Sequence, residues 1–169
     1  LAAAIVIAAM IALVSSAVAQ QLIYGLDADL TGGGGSGFTT KGPAVGPGGR
    51  PGDKGGTGTS HVTLITSEGR LSSSLEASDI EPGTKAHIHE GTAEERGPTV
   101  VELDPPPEDR TSSGCTDVNP ALLRNLLEKP QRYYVDVHNK EFPHGAIRGQ
   151  LSLTEASSFS PACPASVCP

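Results

Sequence analysis

Two short segments alternate hydrophobic residues with polar ones, and this alternation constrains the fold more than any other feature of the sequence. They are residues 86–91 (AHIHEG) and residues 133–139 (YYVDVHN). Successive side chains of a β-strand point to opposite faces of the sheet. Each segment is therefore predicted to be a strand that turns aliphatic side chains into a core and histidines outward. If the two strands lie together, His87, His89 and His138 converge on one face.

Histidines in this pattern indicate a metal site. Neutral imidazole is a common ligand for zinc and copper. An H-x-H pair on a strand supplies two ligands at a fixed separation, and a third histidine from another strand would leave the open coordination position that catalytic sites require. The sequence thus predicts a copper or zinc site on His87, His89 and His138. The alternative is that these are ordinary histidines on a solvated surface.

Other polar residues near these histidines are candidates for supporting the ligands. The candidates are His144, Asp136 and Arg148. We expect the carboxylates of Asp136 and Glu90 to be solvated or paired with Arg148. His61 lies in a predicted strand far from these segments, and we assign it no role.

The N-terminal segment predicts export. Residues 1–19 carry no charge and end in SSAVA, with small residues at the positions that a signal peptidase reads. This pattern predicts a signal peptide that lacks its basic n-region and is cleaved after Ala19. The alternative is a retained hydrophobic helix, because nineteen apolar residues can just span a bilayer.

The net charge limits the classes of binding partner, and the cysteine content bears on the redox compartment of the protein. The net charge is −7 and no basic cluster is present, which argues against nucleic acid as a partner, because its phosphates require clustered lysine and arginine.

Export implies an oxidising compartment, so at least one disulfide is expected. The candidates are Cys115, Cys163 and Cys168. The odd number leaves one thiol free or paired with another chain.

The pattern of strands and turns predicts a mainly β domain over residues 20–153. The predicted strands are 20–30, 59–66, 71–77, 85–89, 99–103, 133–138 and 146–153. One short helix is predicted near 119–129, since Asn119 can cap it, Pro120 suits its first turn and Pro130 stops it. Many short strands with Gly/Pro turns are typical of an antiparallel β-sandwich. The Gly/Pro-rich segment 31–58 is predicted to be a loop, and the tail 154–169 to be disordered.

The chain resembles the chordin-type (CHRD) domain in its secreted microbial, single-domain form. The resemblance spans about residues 22–153 and is carried by segments 86–91, 97–101 (GPTVV), 133–139 and 142–151 (FPHGAIRGQL). It implies a secreted or cell-surface protein with a Greek-key β-sandwich, immunoglobulin-like or superoxide dismutase-like. It also implies a non-enzymatic binding or structural role, with an unidentified extracellular protein or surface ligand as partner. A membrane would be a partner only if residues 1–19 are retained.

The resemblance also bears on the disulfide. Many relatives have a cysteine near the start of the strand after the first hairpin, where this chain reads LSSSL at 71–75. Cys115 is then expected to pair with Cys163 or Cys168, or to stay free, and a small loop closed by Cys163 and Cys168 is a further alternative.

A weaker resemblance is to copper/zinc superoxide dismutase. The histidines at 87, 89 and 138 and the arginine at 148 fit places in that enzyme's pattern, but no histidine lies between His89 and His138. The bridging ligand and the zinc-loop ligands therefore have no counterpart, and the resemblance implies a single copper or zinc ion at most.

Three functions compete at this point. The first is the non-enzymatic extracellular module, which is favoured because no nucleophile–base arrangement can be recognised and no catalytic residue can be assigned. The second is a mononuclear copper or zinc redox enzyme. The third is a membrane-anchored or filament subunit held through residues 1–19.

Overall fold

The described part of the chain is mainly antiparallel β-structure with one α-helix, as predicted. The computed structural model describes residues 23–33, 45–46, 50–94 and 96–154. Its strands are β1 (Ile23–Thr31), β2 (Val45–Gly46), β3 (Arg50–Pro51), β4 (Thr57–Ile65), β5 (Arg70–Ser78), β6 (Lys85–Glu90), β7 (Thr99–Leu103), β8 (Thr111–Asp117), β9 (Tyr133–His138), β10 (Ile147–Gln150) and β11 (Ser152–Thr154). Helix α1 is Pro120–Glu128, and a 3-10 turn at Pro130–Arg132 leads into β9. Segment 1–19, half of the predicted 31–58 loop (34–44 and 47–49) and all of the tail except Thr154 lie outside the described residues.

One continuous sheet contains all the described strands except β2 and β3. Its order is β7-β6-β9-β10-β1-β4-β5-β8, and β11 also pairs with β1. All the strand pairs are antiparallel. The strands at the two ends of this order, β7 and β8, contact each other, so the sheet is nearly closed. Strands β6 and β9, which carry the histidines, are immediate neighbours within it.

The core follows the alternation expected of strands that are buried on one face. The buried aliphatic residues include Leu26, Ala28 and Leu30 of β1, Val62 and Leu64 of β4, Ala86 and Ile88 of β6, and Val135 and Val137 of β9. In β6 and β9 the histidines occupy the intervening positions. The predicted arrangement, with aliphatic residues inside and histidines on the opposite face, is therefore confirmed in both strands.

Helix α1 begins and ends close to the predicted residues. The side-chain Oδ1 of Asn119 accepts a hydrogen bond from the amide of Ala121 at 2.8 Å, which caps the helix. Leu123 and Leu126 are buried and pack against the sheet. No helix among the described residues is long and apolar enough to cross a membrane.

Two features of the sheet differ from the sequence-based prediction. Strand β8 reads TSSGCTD and was not predicted, because it has no aliphatic alternation; it is held by backbone pairing with β5. The predicted strand 146–153 is interrupted at Leu151, whose amide donates to the carbonyl of Tyr133 at 2.9 Å. Alternation along an unbroken strand 146–153 predicts that Leu153 points inward with Ile147 and Leu151, which is wrong: after this interruption Leu153 is 54% exposed.

The structure also narrows the disulfide alternatives. Cys115, on β8, is disulfide-bonded. The alternative in which it stays free therefore does not hold. The other two cysteines, Cys163 and Cys168, lie outside the described residues.

The cap of helix α1 can be tested by substitution. Asn119→Ala should lower the free energy of unfolding by about 1 kcal/mol, because the Ala121 amide loses its acceptor. Urea unfolding measures the change. The matched control is Asn125→Ala at an exposed position within the helix, where alanine is the better helix former and no loss is expected. An equal loss in both variants would contradict the capping role.

Candidate metal centre

The pairing of β6 with β9 brings the polar residues of the two strands together. His87 lies directly opposite Asp136, His89 lies opposite Tyr134, and Lys85 lies opposite His138. Side chains that are opposite or diagonal on one face of an antiparallel pair are close enough to interact. His87, His89, Asp136 and His138 therefore form one group on the face that points away from the core.

The carboxylate of Asp136 lies at the centre of this group. Its Oδ1 is 3.0 Å from Nε2 of His138, 3.2 Å from Nε2 of His89 and 3.3 Å from Nδ1 of His87. The Nδ1 of His87 is also 3.1 Å from Nε2 of His138. The Asp136 side chain is 3% exposed and the three imidazoles are 11–14% exposed.

These separations suit a four-coordinate metal ion. A tetrahedral ion with ligands at about 2.0–2.1 Å separates its ligand atoms by about 3.3 Å. Four of the six separations in the group lie at 3.0–3.3 Å, and no two of the donor atoms are more than 4.8 Å apart. Three imidazole nitrogens and one carboxylate oxygen are a donor set that suits zinc or copper.

Hydrogen bonds to backbone carbonyls fix the direction of two imidazoles. The Nδ1 of His89 donates to the carbonyl of Gly97 at 2.9 Å, and the Nδ1 of His138 donates to the carbonyl of Pro143 at 3.0 Å. A carbonyl only accepts, so each Nδ1 carries a hydrogen; the Nε2 that faces Asp136 donates to it when the ring is protonated and offers a lone pair to a metal ion when the ring is neutral. Metal-binding histidines are commonly oriented by such hydrogen bonds. An Nε2 that faces the carboxylate is therefore occupied either by a proton or by a metal ion.

The pKa of Asp136 is lowered and the pKa of His138 is raised, so the group favours a negative carboxylate beside a positive imidazole. Burial alone would raise the pKa of Asp136, but hydrogen bonds from His138, His87 and His89 outweigh burial and hold that pKa well below its usual range. Burial would likewise lower the pKa of His138, yet the hydrogen bond and the charge of Asp136 raise it. Asp136 is thus an ionised carboxylate that favours the positive charge of His138.

Tyr134 and Arg148 support one side of the group. The Tyr134 ring stacks on His89, with centroids 4.9 Å apart and an interplanar angle of 10°. The Arg148 Cζ lies 5.3 Å from the centroid of the Tyr134 ring. The Tyr134 hydroxyl accepts a hydrogen bond from the amide of Gly97 at 3.1 Å, so the residue that orients His89 also holds the ring stacked on it.

The structure brings His87, His89 and His138 together and changes the expected place of the other candidates. Asp136 was expected to be solvated or paired with Arg148, which is wrong: it is 2% exposed and bonded to the histidines. Glu90 pairs with Arg132 at 2.9 Å. His144 is exposed, and its carbonyl, not its imidazole, faces Arg148.

The remaining histidine lies in another part of the sheet. The Nδ1 of His61 on β4 hydrogen-bonds to Oδ1 of Asp27 on β1, and its Nε2 is 3.4 Å from the Thr63 hydroxyl. Among the described residues, the group at 87, 89, 136 and 138 is the one identified as able to hold a metal ion.

Comparison with known proteins identifies the family. No curated protein is similar enough to the chain to count as a match. The family model of the CHRD domain matches residues 31–151, which contain the four residues of the candidate metal centre, both carbonyls that orient its histidines, and Arg148. Because this match covers most of the sequence, the chain belongs to the CHRD domain family.

Proposed function

We propose that this CHRD domain is a non-enzymatic extracellular binding or structural module that holds one zinc or copper ion. The ligands would be His87, His89, Asp136 and His138. The observation that carries the proposal is the convergence of four donor atoms within 4.8 Å of one another. Support also comes from the two histidines whose Nδ1 atoms donate to backbone carbonyls, which leaves their Nε2 atoms turned towards the common centre.

The presence of Asp136 in the group favours a structural ion over a catalytic one. Structural zinc sites have four protein ligands, whereas catalytic sites keep one position for water or substrate. Three histidines alone would leave that position open, and Asp136 would fill it. The side chains are also at most 14% exposed, which restricts access of a substrate to the ion.

The fourth protein ligand and the low exposure of the group disfavour the alternative, a mononuclear copper or zinc redox enzyme. It would require Asp136 to leave the ion, or the ion to accept a fifth ligand. Copper-loaded protein that is freed of unbound copper should therefore show no more superoxide turnover than the copper-treated His87→Ala/His89→Ala variant. Turnover that is lost in a His87→Ala/His89→Ala variant would instead support the enzyme.

The proposed extracellular location is supported by the family and by the disulfide at Cys115, since disulfides persist in oxidising compartments. The partner would be an extracellular protein or surface ligand. The anchored-subunit alternative depends on residues 1–19, and the intact mass of the secreted product separates the two. A mass that begins at Gln20 would exclude an anchor formed by this segment.

Metal content provides the first test of the site. Wild-type protein that is exposed to zinc and then dialysed should retain about one ion per chain, and the His87→Ala/His89→Ala variant close to none, as measured by elemental analysis. The matched control is His144→Ala, because that imidazole is exposed while its carbonyl, which the substitution keeps, faces Arg148. Near-zero metal in wild type, or equal metal in wild type and double variant, would refute the site.

The role of Asp136 is tested by an isosteric substitution. Asp136→Asn keeps the shape but removes the charge, so the dissociation constant for zinc should rise by at least about 10–100-fold, the range seen when groups that merely support a ligand are lost. Competition with a chromophoric chelator measures it. Asp27→Asn is the control, because Asp27 is also a carboxylate bonded to a histidine, His61. Unchanged zinc affinity in Asp136→Asn would remove Asp136 from the ligand set.

Zinc should also stabilise the folded protein. An ion that binds only the folded state adds about 2.7 kcal/mol when its free concentration is one hundred times the dissociation constant. Thermal unfolding should show a higher Tm with zinc, reversed by a chelator, and no shift in the His87→Ala/His89→Ala variant. A shift of equal size in that variant would mean that zinc binds elsewhere.

A further inference from the structure

Two loops flank the candidate metal centre, and each is bonded to one of its histidines. The 91–98 loop, described at 91–94 and 96–98, joins β6 to β7, and the 139–146 loop joins β9 to β10. The first supplies the Gly97 carbonyl to His89, and the second supplies the Pro143 carbonyl to His138. Because these hydrogen bonds set the direction of the imidazoles, the position of each loop and the position of its ligand depend on each other.

Arg148 connects the two loops. Its Nη1 donates to the carbonyl of Ala93 in the 91–98 loop, and its Nη2 donates to the carbonyl of His144 in the 139–146 loop, each at 3.3 Å. The residue is 6% exposed. A guanidinium is planar and holds its donors in fixed directions. A single side chain therefore constrains the placement of one loop relative to the other.

The same arginine also reaches the ligands through the ring of Tyr134. The guanidinium lies 5.3 Å from the Tyr134 centroid, and Tyr134 stacks on His89 at 4.9 Å. If His89 moved towards an ion, its contacts with the Gly97 carbonyl and with the Tyr134 ring would both change. Arg148 contacts the Tyr134 ring, and it contacts the loop that contains Gly97 at Ala93.

We propose that Arg148 is a positioning residue that couples the two loops to the metal centre, so that loading the ion orders both loops together. The inference rests on the proposed metal function and extends it to regulation. The ion would draw His89 and His138 towards one point, and their carbonyl partners would follow. The surface formed by the 91–98 and 139–146 loops then depends on the presence of the ion.

One end of the 91–98 loop is anchored independently of the ion. Oε1 of Gln150 accepts from the amide of Ala93 at 2.8 Å, and Nε2 of Gln150 donates to the carbonyl of Gly91 at 3.2 Å. The ion-dependent change should therefore be concentrated beyond this anchor. Gly97, whose amide donates to the Tyr134 hydroxyl, and Gly145, whose amide donates to the carbonyl of Phe142 at 3.1 Å, are suitable reporters.

Amide hydrogen exchange, followed residue by residue by NMR, tests the coupling in the full chain. Adding one equivalent of zinc to wild-type protein should slow exchange at both Gly97 and Gly145 by about tenfold or more, because local opening would then require release of the ion. Exchange at Ala93 should change little, since Gln150 holds that amide without the ion.

A pair of matched variants isolates the role of the arginine. Arg148→Lys keeps the positive charge but loses the planar fork that reaches two carbonyls. It should still bind one zinc ion, with an affinity about 10–100-fold lower, and should lose the zinc-induced slowing at Gly97 and Gly145. Arg132→Lys, at an exposed arginine that pairs with Glu90, should behave like wild type.

The outcomes distinguish the inference from the function on which it rests. If wild-type protein binds zinc but exchange at the two reporters is unchanged, or if Arg148→Lys keeps the full slowing, the coupling is overturned and the metal site stands. If elemental analysis finds no zinc in wild type, the proposed function fails and the inference fails with it. Should Arg148→Lys not fold, the comparison of loaded and metal-free wild type still decides whether the ion orders the loops.

Discussion

The burial of one carboxylate is the constraint on which this face of the sheet depends. A charged group that is removed from water costs several kcal/mol unless it is paired. Asp136 is 2% exposed, and the only groups placed around its Oδ1 within 3.3 Å among the described residues are three imidazoles. A slip of β6 by one residue against β9 would turn the imidazoles of His87 and His89 into the core and leave the carboxylate with His138 alone. The register of a single strand pair thus maintains both the core and the candidate site.

The features that could be predicted from the sequence are those that depend on a local period. The alternation of Ile88 with its flanking histidines, and of Val135 and Val137 with Asp136 and His138, predicted strands and faces that the structure reproduces. Helix α1 was predictable for the same reason, since a cap at one end and a proline at the other bound a short apolar stripe. Each of these signals lies within about a dozen residues and needs no partner from elsewhere in the chain.

Features that depend on distant parts of the chain could not be predicted. Strand β8 has no aliphatic alternation and exists because its backbone pairs with β5. Asp136 and His138 are two residues apart on β9, which places them on the same face of the sheet. The burial of Asp136, however, depends on the residues that cover this face. Two of the groups that orient the histidines, the carbonyls of Gly97 and Pro143, are backbone atoms and leave no side-chain signal in the sequence.

The position of the candidate centre also determines what an ion can contribute. In small zinc domains the ion brings together segments that would not otherwise fold, so that the apo protein is unfolded. Here the ligands come from β6 and β9, which are already joined by a ladder of backbone pairs from Lys85–His138 to Glu90–Tyr133. The ion would therefore add little to the topology of the sheet. The free energy of ion binding would instead compensate the charge of Asp136 and fix the loops whose carbonyls orient the histidines. The metal would then affect a surface of the domain and leave its fold unchanged.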